Sequence, residues 1–121
     1  MPCPSCAEQR VRMKRYINQK LEHIARFAGR LEAPAPQGQV LTALLNVVRV
    51  TGLEIIPGGG PFAVEHGNGI DAIAIIAESH VAVKAYPDLR AHAIVDSCRK
   101  IDVKACLREL EGALPGEWKE G

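Results

Sequence analysis

Apolar residues recur at Met13, Ile17, Leu21, Ile24 and Ala28, spacings of four, four, three and four that predict a helix over 8–28. A second period overlaps its end. Over 23–32, Ala25, Phe27, Gly29 and Leu31 fall on one side, with Arg26, Arg30 and Glu32 on the other. The helix is therefore expected to give way to a strand near His23. Ala33-Pro34-Ala35-Pro36-Gln37-Gly38 reads as a connector, since two prolines and a glycine cannot continue a regular element.

Residues 39–50 repeat apolar positions at Val40, Leu41, Leu44, Leu45 and Val48, and predict a second helix. Gly52 suits the place just past its end, where positive φ is often required. Leu53-Glu54-Ile55-Ile56 reads as a short strand. Gly58-Gly59-Gly60 lacks the Lys-Ser/Thr and helix of a phosphate loop, and reads as a flexible loop. Residues 70–77 are apolar after Asp71, as in a buried strand. Residues 81–86 alternate, with Val81, Val83 and Ala85 facing one way and His80, Ala82, Lys84 and Tyr86 the other, until Pro87 ends the run.

Another strand covers 90–98. Asp102 can cap a last helix with an inner face of Val103, Cys106, Leu107, Leu110 and Leu114, stopped by Pro115-Gly116. The polar tail 117–121 is expected to fray. Strands that close through hairpins between helices predict an α+β fold, a two-layer α/β sandwich with a mainly antiparallel sheet. The 121 residues suffice for a single domain, residues 1–22 being a helical N-terminal extension.

Charge narrows the function classes. Fifteen Lys and Arg against fourteen Asp and Glu leave a net charge of +1, without the excess a nucleic-acid partner usually selects. Arg10, Arg12, Lys14, Arg15 and Lys20 cluster near the N-terminus and read as a solvated helix face. No apolar run reaches the roughly 18 residues a membrane span needs, and no apolar leader follows Met1. A cytoplasmic protein with reduced thiols, and with no membrane or nucleic-acid partner, is the expectation. Cys3 and Cys6 form a Cys-x-x-Cys pair, half of a zinc site that His23, His66 or a second subunit could complete.

The tripeptide Glu78-Ser79-His80 stands at the corner between two strands. A serine hydroxyl held against its own preceding carbonyl can attack it and convert the Glu78–Ser79 amide to an ester. Elimination then leaves a dehydroalanine that hydrolyses to a pyruvoyl group. Strain and nearby hydrogen-bond donors favour the first step.

Ala77-Glu78-Ser79-His80, the alternating run to Tyr86-Pro87-Asp88 and Cys98 beyond it resemble the small prokaryotic S-adenosylmethionine decarboxylases. The resemblance extends weakly over 39–56 and the last helix. It implies an S-adenosylmethionine decarboxylase-like fold and self-cleavage into residues 1–78 and 79–121, with a pyruvoyl cofactor made from Ser79. The ketone would take the amine of a small-molecule substrate as a Schiff base and act as electron sink for decarboxylation in polyamine and spermidine biosynthesis. Cys98 would be the proton donor, and the protein a homodimer with sites near the subunit interface.

Lys84 stands where that family has a processing histidine, and Asp71 where it has a serine or threonine. Glu65, beside Val64 and His66, takes the place of an adenine-stacking aromatic. The substrate contacts implied are Glu65, Glu78 and His80. An acid at Glu65 also suits a basic amino acid such as arginine or ornithine. The departures at Asp71 and Lys84 leave a second reading, an uncleaved relative that acts as an interaction or regulatory domain.

Overall fold

The computed structural model describes residues 23–121. The expected helix over 8–22 and the Cys3/Cys6 pair lie outside them. Six strands and two helices follow in the order β1 (Ile24–Leu31), α1 (Gln37–Thr51), β2 (Phe62–His66), β3 (Gly69–Ile76), β4 (Ser79–Ala85), β5 (Arg90–Asp96), α2 (Val103–Ala113) and β6 (Gly116–Glu120). The strands form one sheet in the order β2-β3-β4-β5-β1-β6, and every pairing is antiparallel. Both helices lie on the same face, with α1 against β3 and β4 and beside α2. The fold is thus an α+β, two-layer sandwich.

The core lies between these layers. Phe27 from β1, Val40, Leu44 and Val47 from α1, Ile76, Val81, Val83 and Val95 from the sheet, and Leu110 from α2 are almost fully enclosed. Each strand sends alternate residues into this layer, so the opposite face of the sheet carries the out-of-phase set. Helix ends follow local chemistry. Gly52 closes α1 with φ 71, and its N–H donates to the Arg49 carbonyl. The Asp102 carboxylate caps α2 by accepting from the Ala105 N–H at 3.0 Å.

Several expectations are corrected. The tail does not fray: residues 116–120 form edge strand β6, paired to β1. Trp118 anchors it, 8% exposed, with its indole N–H donating to the Leu114 carbonyl at 2.9 Å. One aromatic among charges gives no period to read. Residues 53–56 provide only a bridge, Ile55 to Ile76, with the Ile56 N–H donating to the Ile75 carbonyl, before the chain enters the Gly58–Gly60 loop instead of continuing as a strand. The Gly58–Gly60 loop is ordered, since the Gly59 N–H donates to the Ile56 carbonyl and its own carbonyl accepts from Ile75 N–H, both at 2.8 Å. Strand β3 is buried on one face only, with Ile73 and Ile75 exposed on the other.

Candidate functional site

A two-residue turn, Ala77-Glu78, joins β3 to β4 and pairs Ile76 with Ser79. Two-residue hairpins favour turns with positive φ, which match the twist of the strands. Ala77 adopts φ 51. Ser79 is the first residue of β4, in phase with Val81, Val83 and Ala85, and only 7% exposed on the helix-covered face. Glu78 is exposed at the turn.

The far end of β5 reaches the same edge of the molecule, because His80 pairs with Asp96. Beyond it the chain bends. Ser97 N–H donates to the His23 carbonyl at 2.8 Å, and the Ser97 hydroxyl accepts from Arg99 N–H at 3.0 Å. Cys98 lies in this bend, 5% exposed. It is disulfide-bonded, contrary to the expectation of reduced thiols, and in that state offers no thiol proton. Nothing in residue spacing signals that oxidation state. Because Cys98 has left the strand, its direction is not tied to the β5 alternation. The structure therefore brings Ser79, Glu78 and His80 to one end of the sheet, with Cys98 near the end of β5.

Asp71 and Lys84 do not join them. The hairpin register that pairs Ile76 with Ser79 also pairs Asp71 with Lys84. At about 3.3 Å per residue, the five residues from Ser79 to Lys84 span about 17 Å. Lys84 is also out of phase with Ser79 and occupies the open face. There the Asp71 carboxylate is shared, with His66 Nε2 at 2.6 Å on one oxygen and Lys84 Nζ at 3.6 Å on the other. His66 Nδ1 accepts from Asn68 N–H at 3.1 Å, so its Nε2 carries the proton donated to Asp71. Glu65 is exposed and in phase with Ala63, away from this cluster.

Sequence reasoning missed the neighbours of that cluster. Tyr86 places its hydroxyl 3.2 Å from His92 Nδ1, and its ring lies under Lys84 Nζ at 4.9 Å and Arg90 Cζ at 4.7 Å. Alternation put Lys84 and Tyr86 on one face, but only the register brings β5 alongside. A shallow depression of about 320 Å³ continues across the open face, lined by Arg26, Ala28, Ala82, Lys84, His92 and Ile94. Among the described residues no group of three or more His, Cys, Asp or Glu is arranged to hold a metal ion. No described helix is long and apolar enough to cross a membrane.

His80 holds an intermediate position, with Nδ1 3.9 Å from the Asp96 carboxylate. It belongs to the open face and also adjoins Ser79 in sequence. No protein-family model matches the chain and no curated protein does. The decarboxylase resemblance rests on Ala77-Glu78-Ser79-His80, Tyr86-Pro87-Asp88 and Cys98 themselves.

Proposed function

We propose that the chain is the proenzyme of a pyruvoyl-dependent decarboxylase, cut between Glu78 and Ser79. The observation that carries this reading is the position of that bond. It sits in a tight hairpin turn, followed by a serine that is enclosed at the start of a core strand. Enclosure limits competing attack by water while the hydroxyl reaches the Glu78 carbonyl. The pyruvoyl group supplies a ketone that accepts electrons as an amine substrate loses its carboxylate. S-adenosylmethionine is the substrate that the resemblance implies, and a basic amino acid the alternative that Glu65 suits. Cys98, once reduced, is the proton donor.

Within one copy, cleavage proceeds without Asp71 or Lys84, which the register holds at the other end of the hairpin. A homodimer fits the open face. Five of the seven large apolar side chains exposed in the described residues lie there: Ile24, Phe62, Val64, Ile73 and Ile75, leaving Leu45 and Ile56 elsewhere. Apolar residues grouped in this way mark a contact surface.

The second reading, an uncleaved interaction domain, is favoured by the Asp71–Lys84 ion pair and by the disulfide at Cys98. Intact-mass spectrometry separates the two. The proenzyme yields two fragments that divide at Glu78–Ser79, and Ser79→Ala yields none. A single species of 13.1 kDa after prolonged incubation with a thiol reductant rejects the proenzyme.

A further inference from the structure

Positive φ crowds a Cβ against the following carbonyl oxygen, so chains normally place glycine there. This chain does so at Gly52, Gly58, Gly60 and Gly69, with φ of 71, 76, 106 and 119. Among the described residues only Ala77 and Leu89 keep a side chain at positive φ, at 51 and 72. Leu89 lies in a turn braced from several directions. Its N–H donates to Tyr86 carbonyl, its carbonyl accepts from Leu31 N–H at 2.7 Å, and the Asp88 carboxylate accepts from Arg90 N–H at 3.2 Å.

Ala77 is different, because it immediately precedes Glu78, whose carbonyl is the one under attack. The turn cannot relax by fraying. On one side Ile76 pairs with Ser79. On the other, Ile76 bridges to Ile55, Ile75 carbonyl accepts from Ile56 N–H at 3.0 Å, and Ile75 N–H donates to Gly59 carbonyl at 2.8 Å. The Ile76 side chain has no exposed surface. The left-handed residue is thus held between two anchored strand ends.

We propose that Ala77 is a positioning residue for self-cleavage, its left-handed backbone straining the turn until the acyl shift releases it. The inference rests on the proenzyme reading. In the shift, Ser79 Oγ bonds to the Glu78 carbonyl carbon, the C–N bond breaks, and the hydroxyl proton passes to the Ser79 nitrogen. The ester that results no longer closes a two-residue turn, so Ala77 can return to negative φ. Loss of the Ser79 α-proton then breaks the Cβ–Oγ bond and frees Glu78 as a carboxylate. One water adds to the dehydroalanine tautomer and ammonia leaves, giving the pyruvoyl group with no oxidant or reductant consumed.

The test compares freshly refolded wild type, Ala77→Gly and Ala77→Asn by intact mass over time. In parallel, urea midpoints are measured for Ser79→Ala with and without Ala77→Gly. Ala77→Gly is expected to raise the midpoint and to slow cleavage about tenfold, which is about 1.4 kcal/mol in the barrier. Ala77→Asn should fall between, since Asn tolerates left-handed φ. A raised midpoint with an unchanged cleavage rate means a purely structural residue and overturns the inference. An unchanged midpoint overturns it too, because no strain was present. Wild type that is never cut removes the proenzyme reading and this inference together. Wild type that is cut at the rate of Ala77→Gly removes this inference alone.

Discussion

Cys106 points inward from α2 and has no exposed surface. Burial pushes its thiol up from 9.0 to about 11, with the Asp102 and Glu109 carboxylates adding to the effect. The unfolded chain ionises this thiol above pH 9, whereas the folded chain holds its proton until about pH 11. Its contribution is therefore complete below pH 9 and is lost as pH rises through 11, a change of about 2–3 kcal/mol. Urea denaturation at pH 8 and pH 11 should show wild type losing more stability than Cys106→Ala over the same interval; equal losses reject the assignment. Gly29 offers a second residue-level test. A Cβ there would lie 2.6 Å from the Trp118 ring carbons, so Gly29→Ala should cost about 1–3 kcal/mol by overpacking, read from the urea midpoint. Reading the sequence placed Gly29 on the same strand face as Phe27 and Leu31. It could not show the indole, which arrives from the opposite end of the chain through β6.

At the scale of elements, what was legible is what local chemistry decides. The Gly52 terminus of α1, the Asp102 cap of α2 and the alternation of β4 depend on neighbours a few residues away, and all stand in the fold. Strand β2 was missed because none of its five residues is buried and Phe62-Ala63-Val64 gives a short apolar run without alternation, so the strand exists through its pairing with β3. The candidate site divides in the same way. The Ser79 corner and the phase of Lys84 were readable from alternation. The contact of Asp71 with both Lys84 and His66 required the register of three strands. That register also gathers Phe62, Val64 and Ile73 on the open face. If a second copy covers this face, Val64→Lys combined with Ile73→Lys should convert a dimer to a monomer. Circular dichroism should stay unchanged, because neither side chain enters the core. Sedimentation equilibrium decides the point, and a wild-type protein that is monomeric at high concentration removes the dimer.

The topology of the whole molecule fixes what the proposed self-cleavage would and would not separate. A cut after Glu78 leaves β1, α1, β2 and β3 on one product and β4, β5, α2 and β6 on the other. In the sheet these sets interleave: β3 pairs with β4, and β1 lies between β5 and β6. The second product therefore holds the first along three ladders, β3–β4, β1–β5 and β1–β6. The helical layer adds to this, since α1 from one product packs on α2 from the other. Pulling the products apart exposes both the core and the ladders, so it amounts to unfolding the domain rather than to undocking two parts. In the cleaved protein the fragments should co-elute in gel filtration at nanomolar concentration and part only in denaturant, with the disulfide at Cys98 reduced beforehand to exclude a covalent link. Co-elution after reduction ties the association to the interleaved sheet. Separation in buffer would mean that the hairpin turn itself, rather than β1 between β5 and β6, keeps the halves together.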